Sequence, residues 1–169
     1  MHLYHERLRI VPTGIMVLLI MVFMATIAFM CWLMVSEGYE ADSPDGIVMI
    51  VSIVFILALM VIIPTLSIRT TVTDEMLKVG LLWGRKVKLT EIESVAVEDF
   101  RALKDFLGWG LRFGRKGLGY IAAGTDKGLR INLRSGKTFL ISTKNYYEFE
   151  SVMNMVLKKD KGSGARLPT

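Results

Sequence analysis

Cysteine and histidine are almost missing from this chain of 169 residues, which has one cysteine, Cys31, and two histidines, His2 and His5. A single cysteine excludes an internal disulfide bond. Beyond residue 31 the sequence offers neither a thiol nor an imidazole, the side chains that most often serve as nucleophile and general base. We therefore expect a protein that is not an enzyme.

Patterns that bind metals, cofactors or nucleic acids are also scarce. Glu98, Asp99 and Asp105 come nearest to a carboxylate cluster, and their spacing is more typical of a solvated edge and a helix cap than of a magnesium site. Two methionines close to Cys31 offer soft ligands for copper(I), but methionine is also an ordinary filler of helix packing. Neither a Walker-type phosphate loop nor an aromatic RNA-binding motif occurs. The sequence predicts no metal, no cofactor and no nucleic-acid partner.

Charge is absent from two long apolar runs. Residues 14–35 and 46–68 contain no Asp, Glu, Lys, Arg or His, and each run exceeds the ~20 residues that a helix needs to cross a bilayer. The loop between them, residues 36–45, has four acidic residues and no basic residue. Arginines flank the hairpin instead, in the N-terminal tail (residues 1–13) and at Arg69. The positive-inside rule then predicts a multi-pass protein of the inner (plasma) membrane with both termini in the cytoplasm.

The chain beyond the hairpin is basic. Residues 69–169 carry 19 Lys plus Arg against 11 Asp plus Glu, a net charge of +8. This length suffices for one small core, which we place in a cytosolic domain at residues 69–159. Beside an anionic leaflet each well-placed cation contributes roughly 1 kcal/mol of attraction, but the same positive bias also orients the hairpin. Residues 160–169 have no apolar pattern, and we predict that they are disordered.

Apolar and polar residues alternate along seven short segments that follow the hairpin, which predicts antiparallel strands with one buried and one wet face. The predicted strands are residues 68–73, 76–83, 86–89, 94–98, 119–123, 129–134 and 137–142. An amphipathic helix follows Asn145, with an apolar stripe formed by Tyr146, Phe149, Met153 and Val156. The predicted fold is a membrane α-helical hairpin plus a small mainly-β domain, a PH-like seven-stranded antiparallel barrel or sandwich capped by a C-terminal helix.

Three segments also carry a family resemblance. They are residues 72–77 (VTDEML), 109–112 (WGLR) and 136–143 (GKTFLIST). On these segments the chain resembles the bacterial PH-like (bPH) membrane proteins, in which a transmembrane pair precedes a PH-like domain. The resemblance implies a scaffold that binds proteins, lipids or neighbouring subunits, and it supplies no catalytic residues.

A long stretch between the fourth and fifth predicted strands, residues 100–118, interleaves basic and aromatic side chains. Such interleaving is typical of a membrane interface or of a surface for anionic headgroups. The candidate binding residues are Arg101, Lys104, Trp109, Arg112, Phe113, Arg115 and Lys116. Alternatively, Trp109 and Phe113 fill the core while the cations remain in water.

The first part of this stretch predicts a short helix with Phe100, Leu103 and Leu107 on one side. Gly108 would end that helix. In the second part, residues 114–117 are punctuated by glycines and could offer backbone N–H groups to a phosphate.

Together the patterns favour a noncatalytic interaction or assembly module that docks a protein partner or complex at the inner membrane. One alternative is a module that senses anionic lipid headgroups directly. Another is an accessory subunit of a membrane transport complex. Assembly as a homo-oligomer is also compatible with these sequence features.

Overall fold

The chain forms two units in a computed structural model that describes residues 2–40, 42–81 and 84–163. One unit is a helical hairpin, residues 11–66. The other is a β domain assembled from residues on both sides of that hairpin.

The hairpin consists of α1 (Thr13–Ser36) and α2 (Pro44–Thr65). At 1.5 Å per residue their 24 and 22 residues span about 36 and 33 Å, long enough to cross the hydrocarbon of a bilayer. The hydroxyls of Thr26 and Ser52 donate to backbone carbonyls four residues earlier in their own helices. Both helices are apolar along their length and are compatible with anchoring in a membrane.

The first sheet of the β domain has four antiparallel strands in the order β1-β2-β3-β4. The strands are β1 (His2–Arg9), β2 (Ser67–Thr73), β3 (Met76–Gly80) and β4 (Gly84–Lys88). Burial alternates along them as the sequence predicts, since Val72, Leu77 and Val79 are completely buried and polar neighbours face outward.

β1 corrects the expectation that residues 1–13 form a tail apart from the domain. β1 pairs with β2 from Tyr4, opposite Val72, to Arg9, opposite Ser67. Tyr4 is buried, and its ring stacks on Phe149 at 4.8 Å between centroids. The β domain is therefore discontinuous in sequence, and the hairpin is inserted between its first two strands.

The second sheet has five strands in the order β5-β8-β9-β7-β6. They are β5 (Ile92–Asp99), β6 (Gly110–Gly114), β7 (Gly117–Ile121), β8 (Lys127–Leu133) and β9 (Thr138–Ser142). All neighbours are antiparallel except β7 and β9, which run parallel. The expected all-antiparallel pairing fails there because β8 pairs with β5 and β9, so that β9 lies beside β7.

Two helices complete the β domain, the short α3 (Ala102–Phe106) and the C-terminal α4 (Tyr146–Ser163). The predicted stripe on α4 is confirmed at Phe149, Met153 and Val156, which are all buried. The helix continues beyond residue 159, so the start of the expected disordered tail is helical, while residues 164–169 lie outside the described part of the chain.

The predicted strands correspond to β2–β5 and β7–β9, and residues 82–83 of the second one lie outside the described residues. The sequence did not predict β1 or β6. Within the described ranges the nine strands form two separate sheets rather than one closed barrel. The Arg85 guanidinium lies 4.9 Å from the centre of the Phe139 ring and so links a strand of the first sheet to one of the second.

Candidate interaction surface

The stretch between β5 and β6 is held in place by aromatic packing. Phe106 at the end of α3 is completely buried in a cluster with Phe100, Ile121 and Leu140. The rings of Phe100 and Phe106 meet edge to face at 5.8 Å. Trp109 is partly buried and packs on the same cluster. The packing of these rings therefore holds the backbone of this stretch in place.

Two glycines allow α3 to lie directly on the sheet. A Cβ atom on Gly119 would lie 2.6 Å from the Phe106 ring, and a Cβ on Gly114 would collide with the carbonyl oxygen of Asp105. The Arg115 N–H donates to that carbonyl at 2.9 Å. The close approach of helix and strand explains why glycines punctuate this part of the sequence.

The outer side of the same stretch exposes four large apolar side chains. The exposed fractions are 65% for Leu103, 78% for Leu107, 49% for Leu111 and 79% for Phe113. Elsewhere in the described part of the β domain only Tyr147 and Met155 are comparable. Phe113 is thus a surface residue, and the alternative in which it fills the core does not hold.

Four exposed cations lie in the same stretch as these apolar groups. We call residues 101–115, with their exposed side chains, the basic–apolar segment. The cations are Arg101, Lys104, Arg112 and Arg115, all of them exposed. Arg112 donates from Nε to the Trp109 carbonyl at 2.9 Å. Asp105, the one acidic residue in this stretch of sequence, accepts the Arg101 N–H at 2.8 Å. The segment has a net charge of +3.

Lys116 differs from these exposed cations because it belongs to an ion network within the domain. Its ammonium lies 2.9 Å from Glu98 Oε1 and 3.7 Å from Asp105 Oδ2, and it donates to the Asp99 carbonyl at 2.8 Å. Arg130 Nε donates to the other Glu98 oxygen at 2.7 Å. The network ties β5, β8 and the β6–β7 turn together.

The network shifts the ionisation of its members. Hydrogen bonds from Arg130 and then from Lys116 hold the pKa of the Glu98 carboxyl below its ordinary value. The hydrogen bond to Glu98 raises the pKa of the Lys116 ammonium. Both shifts favour the charged forms, so the network is intact near neutral pH.

Acidification should therefore weaken the β domain through Glu98. Because its folded-state pKa is lowered, its contribution is present above the unfolded value of about 4.3 and is lost as pH falls through the folded pKa. We expect Glu98→Gln to lower the unfolding temperature at pH 7. The unfolding temperature of this variant should also fall less steeply than that of the unmodified chain as pH decreases from about 5 to about 3. Thermal unfolding of the full chain in non-ionic detergent measures both effects. Glu93→Gln, on the exposed side of the same strand, is the matched control; equal pH slopes for Glu98→Gln and the unmodified chain would contradict the assignment.

A cavity of about 460 Å³ opens beside this network. It is lined by Asp99, Phe100, Arg101, Lys104, Asp105, Lys116, Asp126 and Lys127. Carboxylates and cations are both represented in its wall, so the cavity selects neither an anion nor a cation by charge. No group of three or more His, Cys, Asp or Glu side chains suited to a metal occurs in the described part of the chain.

The structure separates the seven predicted site residues into three roles. Arg101, Lys104, Arg112, Phe113 and Arg115 are exposed on the segment, Trp109 packs on the core, and Lys116 is held in the ion network. Sequence reasoning missed the exposure of Leu103, Leu107 and Leu111. The short helix was expected to turn Leu103 and Leu107 to the same side as Phe100, but Phe106 occupies the buried side instead.

The chain has no match among protein-family models, curated proteins or solved structures.

Proposed function

We propose that this chain is a noncatalytic interaction module with a PH-like β domain, anchored in the inner membrane by its hairpin. The domain docks a binding partner at the cytoplasmic face through the basic–apolar segment. The observation that carries the proposal is the concentration of exposed Leu103, Leu107, Leu111 and Phe113 among four exposed cations.

The energetics of these side chains support a docking role. Fully burying one Leu or Phe side chain contributes roughly 1.5–3 kcal/mol, and soluble surfaces seldom concentrate such groups without a binding function. Because Phe106 and Trp109 fix the backbone beneath them, little conformational entropy is lost when the segment binds. Preorganisation of this kind raises affinity without adding contacts.

Chain connectivity supports the proposed topology. β1 precedes the hairpin and β2 follows it, yet they pair along seven residue pairs. Two helices that each cross the bilayer once return the chain to its original side, as this pairing requires. The arginines at positions 7, 9 and 69 flank the hairpin on that side, which agrees with a cytoplasmic location for both termini.

The PH-like assignment rests on the order of elements. Strands in two sheets are followed by one helix whose apolar stripe is buried. The chain departs from the expected pattern in having β1 ahead of the hairpin and β6 within the basic–apolar segment.

Purification of the tagged full chain from native membranes in mild detergent tests the docking role. We expect a protein or an anionic phospholipid to co-purify, with a several-fold lower yield for the variant Lys104→Gln/Phe113→Ser/Arg115→Gln. The matched control is Lys86→Gln/Lys88→Gln/Tyr147→Ser, which changes equally exposed residues elsewhere on the domain. The docking role would be refuted by an eluate in which no component depends on the segment. Lys116 is left unchanged because its loss would disturb the ion network.

A further inference from the structure

We infer that the basic–apolar segment docks on the anionic lipid leaflet beside the hairpin, rather than on a protein. This inference rests on the proposed function and names the partner of its docking surface. Three independent features of the β domain support it: where the segment enters β6, which charges lie near that point, and the backbone conformation of Leu107.

The segment enters β6 at the end of the β domain from which the chain leaves for α1. The side chain of Ile10 lies against Gly110, where an added Cβ would be 3.6 Å from the Ile10 methyl. The Ala123 N–H donates to the Arg9 carbonyl at 2.9 Å. Only residues 11 and 12 separate Ile10 from the start of α1, a stretch that spans at most about 11 Å. The first residues of β6 therefore lie at the end of the β domain that is nearest to α1 along the chain.

Arginines gather at this same end of the domain, and Arg7, Arg69 and Arg112 form no ion pair within the described part of the chain. Arg7 and Arg69 are direct partners in the β1–β2 ladder, where like charges repel. Arg112, next to the Leu107–Gly110 turn, adds a further guanidinium. A protein partner would have to bring its own acidic surface, whereas anionic headgroups beside the hairpin are always present and neutralise such clusters.

Leu107 adopts a backbone conformation that leucine avoids. Its φ is +58°, and among the described residues it is the sole non-glycine with a positive φ. Glycine or asparagine would suit this helix end better on folding grounds, and the leucine side chain is 78% exposed. Backbone strain combined with an exposed apolar side chain points to a functional demand. Insertion of a leucine into the lipid interface, with arginines beside it at headgroup level, meets that demand.

Photo-crosslinking in native membranes tests the inference with the full chain. A diazirine-bearing residue replaces Leu107 or Phe113, and the control places it at Tyr147, which is 74% exposed elsewhere in the domain. We expect phospholipid adducts from positions 107 and 113 and several-fold fewer from position 147. Protein adducts at 107 and 113 would overturn the lipid inference and leave the docking role intact. Quenching by water alone at both positions would overturn both proposals.

A second variant separates docking from folding. Leu107→Asn removes the apolar side chain and relieves the backbone, so the unfolding temperature should stay equal or rise. In nanodiscs rich in phosphatidylglycerol, Leu107→Asn should lower the yield of lipid adducts from position 113 several-fold. The yield should then approach that of the chain with Leu107 in phosphatidylcholine alone. An unchanged yield in Leu107→Asn, or an equal yield in the two lipids, would overturn the inference.

Discussion

A chain in which residues 11–66 are replaced by Asn-Gly should fold into a water-soluble β domain that unfolds cooperatively. Arg9 and Ser67 are partners at the end of the β1–β2 ladder. The new connection between them would be Ile10-Asn-Gly, a three-residue loop with glycine at its left-handed position, which is a common hairpin connection. Circular dichroism and amide hydrogen exchange would show the folded domain without detergent.

The matched control is a fragment that begins at Ser67 and lacks β1. It loses seven ladder pairs and exposes the sites where Tyr4 and Ile10 are buried. The two side chains alone account for about 3–6 kcal/mol, a large part of the 5–15 kcal/mol that stabilises a typical domain. We expect this fragment to show no cooperative transition. Equal stability of the two proteins would contradict the role given to β1.

Phe106→Ala should be the most damaging single substitution in the basic–apolar segment. Phe106 is completely buried, and removing such a ring typically costs about 3–5 kcal/mol through lost burial and the cavity left behind. Phe113→Ala removes the same side chain from a site that is 79% exposed, so we expect a change within about 0.5 kcal/mol. Chemical unfolding of the full chain in mild detergent provides both values.

The two phenylalanine variants also separate folding from docking. Both should lose lipid crosslinks from position 107, but only Phe106→Ala should increase proteolysis within residues 100–118. A stability loss in Phe106→Ala that is as small as the loss in Phe113→Ala would show that Phe106 does not anchor the segment.

Alternation allowed most strands to be predicted because their neighbours in sequence face opposite environments. Leu129, Ile131 and Leu133 are buried in β8 as their spacing predicts. β6 is only five residues long, and its alternating apolar residues Leu111 and Phe113 are both exposed, so the pattern indicates no buried face. The two-residue link between Gly114 and Gly117, typical of a tight hairpin, was the available clue.

β1 could not be predicted because its alternation is masked by charge. Glu6, Arg7 and Arg9 resemble the flank of a membrane helix, and the partner strand follows only after the whole hairpin. At the candidate surface, composition identified the stretch but not the roles of its members. Lys116 and Arg112 have the same charge, and only the three-dimensional position of Glu98 distinguishes the ion-paired Lys116 from the exposed Arg112.

The insertion of the hairpin between β1 and β2 also constrains how the protein is made. β1 leaves the ribosome before the hairpin, and roughly 60 residues must be synthesised before its partner β2 begins to follow. This takes about 3–12 s at ordinary translation rates. Under the proposed topology both helices must enter the bilayer during that interval, because a single crossing would leave β2 on the opposite side from β1. Only a correctly threaded chain can bury Tyr4 and close the first sheet. Under the proposed topology, completion of the β domain therefore depends on correct membrane insertion of the hairpin.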